Sequence, residues 1–289
     1  MKPMCPVFSG SRPHEGLRGL SQVICAGLLL GSFGLTPVLA ADLAVAPANP
    51  ARSQAAEQSA AVLARAAARG DTPLSKRANF ERAQASQIVH QVANWVLDSG
   101  NNGRLPFIIV DKTDAKVFVF YADGRLRGTA SALLGLALGD DSVPGIGKRS
   151  LANILPQERT TPAGRFVASL GRNLHEGEIL WVDYEAAISL HPVITSNPKE
   201  QRLQRLATAS TLDKRISYGC INVPADFFRQ VVKPTFKGTN GIVYVLPETR
   251  SAQVVFASYD VDERARLALA KAVSPVPAAI DGEAGLVSR

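Results

Sequence analysis

Cysteine and aromatic residues are scarce in this chain of 289 residues. Three cysteines are too few for the disulfide-dense scaffolds of small secreted domains. Aromatic residues make up 6%, so a core must be built mainly from aliphatic side chains. Hydrophobic residues at 46% and charged residues at 20% are typical of a globular protein. Collagen-like, disordered and polytopic membrane proteins are therefore unlikely classes.

The chain also lacks an apolar run long enough to cross a bilayer. Its amino-terminal run, residues 23–35, has 13 residues, whereas a spanning helix needs about 20. Basic residues precede this run, and a proline and small residues ending at Ala40 follow it. The pattern predicts a secretory signal peptide over residues 1–40, cleaved after Ala40. An uncleaved anchor or a lipoprotein modified at Cys25 is the less favoured interpretation.

Cleavage of this segment changes the charge and the cysteine count. It removes three basic residues and one acidic residue, so the net charge falls from +7 by two, to +5. Cys5 and Cys25 are lost, which leaves Cys220 as the cysteine of the mature chain. A single thiol in an oxidising compartment is a liability unless it is buried or used in chemistry. The basic residues are dispersed, so we expect no nucleic-acid partner, and membrane contact only transiently through the signal peptide.

The remaining chain divides by composition into three regions. Residues 41–103 are predicted to form an Ala/Pro-rich spacer and a helical segment, whose best helix covers residues 75–98. Residues 104–248 are predicted to form the main domain, which is rich in short strands. Residues 249–289 are predicted to be a partly flexible extension.

The middle region predicts a mainly β (α+β) fold, a β-sandwich of mixed sheets with one helix after Cys220. That helix is expected over residues 224–232, and a last strand near residues 254–256. The other predicted strands cover residues 107–110, 116–120, 166–170, 179–183, 187–191 and 241–246.

Two short motifs lack what their chemistry requires. Gly145-Ile146-Gly147-Lys148 has no Ser or Thr after the lysine, so a glycine-rich surface loop is the better interpretation than a phosphate loop. His175 is not followed by a second histidine at zinc-binding spacing. We therefore expect no metal site.

Cys220 is the strongest candidate for chemistry. Residues 216–224 read Ile-Ser-Tyr-Gly-Cys-Ile-Asn-Val-Pro, and Gly219 allows a tight turn before the thiol. A nucleophilic thiol needs a neighbouring base and donors for the oxyanion formed on attack. The backbone N–H groups of Gly219 and Cys220 are candidate donors. The alternative for Cys220 is a small buried hydrophobic residue.

The base must be a histidine, and three remain after cleavage. His90 lies on the predicted amino-terminal helix and His175 in a turn, whereas His191 ends an apolar strand and is presented by a rigid element. We choose His191. Its alternative is a histidine satisfied by a backbone carbonyl. A single cysteine and a strand-end histidine in an exported protein together favour the catalytic interpretation of both residues.

These residues resemble a known family. Residues 217–222, Ser-Tyr-Gly-Cys-Ile-Asn, are similar to the Ser/Thr-His-Gly-Cys-x-Asn/Arg signature of L,D-transpeptidases with a YkuD-type catalytic domain. Residues 161–166, Thr-Pro-Ala-Gly-Arg-Phe, resemble the Thr-Pro-x-Gly-x-Phe segment of that domain, and residues 108–124 resemble its first hairpin. His191 falls where the family places its upstream catalytic histidine. The resemblance covers residues 105–247.

The resemblance implies an enzyme of the periplasm or cell wall that acts on peptidoglycan. Cys220 would attack the meso-diaminopimelate carbonyl of a tetrapeptide stem and release D-Ala, and the resulting thioester would pass to the diaminopimelate amine of a second stem in a 3→3 cross-link. His191 would be general base and acid, and Gly219 and Cys220 would hold the oxyanion, helped by Tyr218. Ser217 and Asn222 are candidates for substrate binding, although for Asn222 a structural role in fixing the turn is favoured. No metal or organic cofactor is implied.

The sequence departs from the family pattern in three places. Tyr218 replaces the usual histidine, and a phenol is a poor base near neutral pH. Pro192 stands where Gly or Ser is usual. His191 and Cys220 are 29 positions apart, a longer interval that we interpret as a lid or short helix over residues 198–206. Within it, Arg202 and Arg205 are hypothesised to bind a stem-peptide carboxylate.

Several alternatives stay open. The same site could hydrolyse the thioester as an L,D-carboxypeptidase or amidase, or attach stems to a protein. A non-catalytic wall-binding domain is less favoured, because Cys220 and His191 are both present. Sortase-like and papain-like enzymes do not fit, since glycine precedes Cys220 and no histidine follows it.

Overall fold

The computed structural model describes residues 76–173 and 177–273. The predicted signal peptide, most of the predicted spacer, His175 and the end of the predicted extension lie outside the described residues. Among the described helices, none is long and apolar enough to cross a membrane.

A mixed β-sheet forms the frame of the described chain. Its strands are β1 Phe107–Asp111, β2 Lys116–Phe120, β3 Leu126–Ser131, β4 Leu134–Gly135, β5 Gly164–Arg172, β6 Glu178–Asp183, β7 Ile188–Pro192, β8 Arg215–Ser217, β9 Ile221–Val223 and β10 Gly241–Val245. Eight of them form one sheet in the order β3-β2-β1-β10-β5-β6-β7-β9, and β4 pairs with β8. The β1–β10, β7–β9 and β4–β8 pairs are parallel, and the others are antiparallel. The predicted mainly β fold with mixed sheets is confirmed.

The large sheet curls until its two edges almost meet. Asn222 of β9, at one edge, exchanges backbone hydrogen bonds of 2.8 and 2.9 Å with Leu133, which follows β3 at the other edge. The nearly closed sheet encloses an aliphatic core that includes Val117, Val243 and Leu190, each less than 1% exposed. Each methylene group that these side chains bury stabilises the fold by about 0.8 kcal/mol.

A helix lies inside this curl and directly follows β9. It has three segments, Ala225–Phe227, a π-helical Phe228–Val232 and Lys233–Phe236, which together are α3. Phe228, Val232 and Phe236 face the enclosed core. The helix extends past the predicted end at residue 232. The widened π-segment lies just before Pro234, whose ring and missing N–H disturb the regular α-helical ladder.

The opposite face of the sheet carries a second core. Helix α1, Gln87–Ser99, packs Val89, Val92 and Val96 against it. The strands β1, β2 and β10 are therefore buried on both faces, which explains their nearly continuous apolar sequences.

The predicted helix over residues 75–98 is wrong at its start. Helix α1 begins only at Gln87, because the Ser86 side chain caps it by accepting from the Val89 amide at 3.4 Å. The preceding Asn79 forms an isolated bridge with Arg125.

The predicted strand near residues 254–256 is also wrong. Ala252–Phe256 is helix α4, because Ser251 caps it at the Val254 amide (3.3 Å). Val254 is 73% exposed, so its β-branched side chain does not indicate a buried strand. A helix over Val261–Val273, α5, follows. The domain boundaries at residues 104 and 248 stay a prediction.

Candidate active site

Two neighbouring strands bring the predicted catalytic residues together. β7 and β9 pair in parallel with His191 opposite Asn222, and Cys220 directly precedes β9. The apolar residues of both strands, Leu190 and Ile221, are fully buried in the enclosed core. Because side chains alternate along a strand, the polar residues between them share the other face. Cys220 and His191 consequently line one cavity, although 29 positions separate them in the chain.

The turn before Cys220 is fixed from several directions. Gly219 has a φ of 128°, and a Cβ there would lie 2.6 Å from the Thr160 carbonyl oxygen. The fully buried Thr161 hydroxyl donates to the Gly219 carbonyl at 2.8 Å and accepts from the Gly135 amide at 2.9 Å. Only glycine fits this close approach in this conformation. In the sequence, Thr161 stands out only as the first residue of the segment 161–166, which resembles a family motif. Its hydrogen bond to the Gly219 carbonyl gives this residue a structural role.

The Ser217 side chain belongs to the same turn. Its hydroxyl donates to the Cys220 carbonyl at 2.6 Å and accepts from the Gly219 amide at 3.1 Å. Ser217 is 3% exposed, so its polar atom serves the turn more than the cavity. The Gly219 amide would have to leave this hydrogen bond to hold an oxyanion, and its oxyanion role stays a prediction.

The Cys220 thiol is half-buried and lies beside β7 and the residue that precedes it. Its Sγ is 3.6 Å from the Ser189 hydroxyl and 3.7 Å from the Ala187 carbonyl oxygen, to which the thiol donates. Ser189 is 1% exposed and shares its strand face with His191. Our sequence reasoning missed Ser189. The alternation Ser189-Leu190-His191 would have revealed it.

His191 has a defined partner at each ring nitrogen. Its Nδ1 lies 2.8 Å from the Pro192 carbonyl oxygen, and its Nε2 lies 3.3 Å from Asn222 Nδ2. A carbonyl only accepts, so Nδ1 carries the proton and Nε2 keeps a lone pair. A backbone carbonyl is present in every residue, so the departure at Pro192 preserves this contact. The arrangement suits a general base.

Tyr218 forms part of the cavity wall beside the thiol. The Arg159 guanidinium carbon lies 3.9 Å from the centre of its ring, a cation–π contact. Arg159 is itself held by the Ile154 carbonyl at 3.1 Å. The phenol is therefore placed by stacking, and its role beside the oxyanion stays a prediction.

Arg202 and Arg205 lie in residues 198–206, which we call the added segment, and they differ in their contacts. The segment forms a short 3₁₀ turn, Pro198–Glu200, and helix α2, Arg202–Ala207. Arg202 lines the cavity and donates to Asn222 Oδ1 at 2.6 Å and to Glu200 Oε2 at 2.5 Å. Arg205 donates to the carbonyls of Glu200 at 2.9 Å and Asp213 at 2.7 Å, so it ties two loops together.

The glycine-rich motif forms the wall opposite β7. Ile146–Lys148 is a 3₁₀ turn, and Ile146 and Gly147 line the cavity. A Cβ on Gly147 would lie 2.3 Å from the Glu185 carbonyl oxygen, so the turn rests directly on the β6–β7 connection. The sequence interpretation as a surface loop missed this wall, since nothing local indicates its partner.

A buried ionic cluster lies behind the cysteine turn. Lys112 Nζ donates to Asp140 Oδ1 at 2.8 Å and to the Thr161 carbonyl at 3.1 Å. Arg215 donates to Glu248 Oε2 at 2.5 Å, and Glu248 Oε1 lies 3.5 Å from Lys112 Nζ. We call Lys112, Asp140, Arg215 and Glu248 the anchoring network. It supports Thr161, which holds the turn.

Asp140 is a carboxylate in this setting. Burial alone raises the pKa of its carboxyl group, but hydrogen bonds from Lys112, Thr249 and neighbouring amides oppose burial and hold the pKa below its ordinary value. The charged form therefore contributes to stability at neutral pH. Among the described residues, no group of three His, Cys, Asp or Glu side chains is arranged to hold a metal ion.

Comparison with known proteins gives structural neighbours only. No family model matches the chain, and no curated protein matches it. An L,D-transpeptidase from Enterococcus faecium aligns at 17% identity and a TM-score of 0.28, over 49% of this chain and 49% of that chain. Pgp2 from Campylobacter jejuni, a helical cell shape determining protein, aligns at 15% and 0.33, over 51% of this chain and 49% of that chain.

A third neighbour is an L,D-transpeptidase from Xylanimonas cellulosilytica, at 15% identity and a TM-score of 0.29, over 52% of this chain and 67% of that chain. The alignments span about half the length of the first two neighbours. At such values the likeness decides neither the activity nor the site residues.

Proposed function

We propose that the protein is an exported L,D-transpeptidase with a cysteine nucleophile, acting on peptidoglycan stem peptides in the periplasm or cell wall. The observation that carries the proposal is the meeting of Cys220 and His191 in one cavity, with the His191 lone pair on Nε2. A thiol, a neutral imidazole oriented by a carbonyl, and a cavity for substrate are the components of acyl transfer by cysteine.

In the first half-reaction, His191 Nε2 takes the thiol proton and Cys220 Sγ attacks the meso-diaminopimelate carbonyl carbon. The tetrahedral intermediate collapses with cleavage of the amide bond to the terminal D-Ala. The proton on Nε2 passes to the leaving amine, and a thioester remains on Cys220.

In the second half-reaction, the side-chain amine of another stem attacks the thioester carbonyl. His191 takes a proton from this amine as the new amide forms, and then returns a proton to the departing thiolate. The product is a 3→3 cross-link, and the enzyme regains its starting protonation.

Recognition of a stem carboxylate would fall to Arg202 more than to Arg205. Arg202 lines the cavity, whereas the Arg205 guanidinium binds two backbone carbonyls away from the thiol. A guanidinium held by backbone carbonyls has fewer N–H groups left for a ligand.

The test follows products of defined disaccharide-tetrapeptides by mass spectrometry. The exported, processed protein should give dimers with loss of D-Ala, and Cys220→Ser, the closest isostere, should give none. Covalent mass gain with a carbapenem should likewise vanish in Cys220→Ser. Monomeric tripeptides would instead indicate an L,D-carboxypeptidase. Products that do not depend on Cys220 across several peptidoglycan substrates would reject an enzyme of this kind.

Export has its own measurement. The amino-terminal sequence of the protein recovered outside the cytoplasm should begin at Ala41. Recovery, in a membrane fraction, of protein that still begins at residue 1 would contradict cleavage.

A further inference from the structure

A chain of hydrogen bonds connects the added segment to the His191 ring. Glu200 accepts from Arg202 at 2.5 Å, and Arg202 Nη1 donates to Asn222 Oδ1 at 2.6 Å. Asn222 Nδ2 lies 3.3 Å from His191 Nε2, and His191 Nδ1 lies 2.8 Å from the Pro192 carbonyl oxygen. We call Glu200, Arg202, Asn222 and His191 the histidine network.

The chemistry of each group fixes the direction of every bond. A guanidinium only donates, so the Asn222 atom that faces Arg202 must be its oxygen. The amide nitrogen then faces His191, and this group only donates, so Nε2 must accept. An asparagine amide without such a neighbour has two orientations of similar fit.

Burial makes this constraint effective. Asn222 is 1% exposed, so water does not replace a lost partner easily. Its main chain is held by two hydrogen bonds to Leu133, which leaves the amide rotation as the open variable. The amide nitrogen also donates to the Cys220 carbonyl oxygen, but at 3.5 Å this bond is long, so the 2.6 Å bond from Arg202 is the main contact that decides which atom of Asn222 meets the imidazole.

We propose that Arg202 is a positioning residue that acts through Asn222 to keep Nε2 of His191 unprotonated, with its lone pair accepting from Asn222 until the thiol proton arrives. The proposal rests on the proposed function, in which Nε2 is the general base. It also assigns a role to the long interval between His191 and Cys220, since that interval supplies Arg202.

Removal of Arg202 has a defined consequence. A flipped Asn222 presents Oδ1 to Nε2, and Pro192 already presents an acceptor to Nδ1. Two acceptors favour a proton on both nitrogens, which removes the lone pair. The other ionisable groups lining the cavity with His191 are Arg149, Glu200, Tyr218 and Cys220, and of these Glu200 loses its bond to Arg202 in the variant.

The experiment observes the ring nitrogens directly. The processed protein is labelled with ¹⁵N-histidine, and the His191 signals are assigned by their loss in His191→Gln. At slightly alkaline pH the wild type should show a protonated Nδ1 and a bare Nε2. Under the same conditions Arg202→Leu should show a protonated Nε2, and Arg202→Lys, which retains a donor, should restore much of the wild-type spectrum.

Arg205→Leu is the matched control, since it removes the same side chain from the same helix. Its bonds reach only backbone carbonyls, so the His191 spectrum should not change. In parallel, the alkylation rate of Cys220 by iodoacetamide is measured across pH. A protonated imidazole favours the neighbouring thiolate, so the pH profile of alkylation should shift towards lower pH in Arg202→Leu and keep its wild-type position in Arg205→Leu.

A second variant keeps the proposal testable if Arg202→Leu does not fold. Asn222→Asp retains an acceptor for Arg202 but has no donor for His191, so Nε2 should become protonated. A folded Arg202→Leu or Asn222→Asp with the wild-type tautomer and alkylation profile would overturn the proposal. These measurements use no peptidoglycan, so a failure of the transpeptidase assay alone would reject the proposed function and leave this inference standing.

Discussion

The two polar networks around Cys220 differ in what they fix. The anchoring network lies behind the turn, where the side chains of Lys112 and Asp140 are fully buried and bond to backbone groups, to opposite charges and to the Thr249 hydroxyl. The histidine network faces the cavity, and its Glu200 side chain is 34% exposed. The first network holds the backbone at Cys220, the proposed nucleophile, and the second contacts the ring of His191, the proposed base. Stability and catalysis should therefore be separable by mutation.

The largest difference between loss of activity and loss of stability is expected for changes at Cys220 and His191. Cys220→Ser and His191→Gln should each reduce transpeptidation by about a thousandfold or more, because nucleophile and base act as one unit. Neither change leaves a buried charge, so the free energy of unfolding should change by less than about 1 kcal/mol. Product formation and urea denaturation measure the two effects. Equal loss of stability and activity would contradict the separation.

Lys112→Met tests the contribution of the anchoring network to stability. It leaves the Asp140 carboxylate buried without its lysine partner, and loss of one member of a buried pair costs about 3–5 kcal/mol. We expect a large drop in the urea midpoint. Arg125→Met, which removes an ion pair exposed by more than half, should change stability by at most about 1 kcal/mol. Similar midpoints for both variants would contradict the anchoring role.

Gly219→Ala probes the junction between the two networks. The new Cβ would meet the Thr160 carbonyl oxygen at 2.6 Å in a backbone conformation that alanine adopts with strain. A cost of about 1–3 kcal/mol is expected, together with a displaced thiol and slower alkylation of Cys220. Gly145→Ala is the control, since it also has positive φ but nothing lies within 4 Å of its Cβ. Equal alkylation rates in both variants would argue against a strained turn.

The structure brings together the two residues that the sequence singles out for their chemistry, and their catalytic roles stay predictions. Cys220 and His191 could be chosen because few side chains can act as nucleophile or base. The anchoring contacts could not, since Thr161 and the Gly219 carbonyl are 58 positions apart and nothing local pairs them. The strands were readable because β1 and β10 are apolar throughout, whereas residues 254–256 were misassigned because a single capping serine outweighs three strand-forming residues.

Acid should weaken the anchoring network selectively. The pKa of Asp140 lies below its ordinary value of 3.8, so the unfolded chain takes up its proton first as the pH falls. The stabilisation is complete above that ordinary value and is lost progressively below it. The stability difference between wild type and Asp140→Asn should therefore shrink at low pH. Asp141→Asn, at a side chain 81% exposed, should show little pH-dependent difference.

The smallest effect is expected within the histidine network's own segment. Arg205 lies one helical turn from Arg202, yet its bonds hold backbone carbonyls, as those of the anchoring network do. Arg205→Leu should therefore cost about 1 kcal/mol of stability, measured by urea denaturation, with stem-peptide affinity retained. Reduced affinity at unchanged stability would restore Arg205 as a carboxylate ligand. If the affinity is retained, the role of each arginine follows from its hydrogen-bond partners and not from its position in the chain. The same criterion distinguishes the two networks.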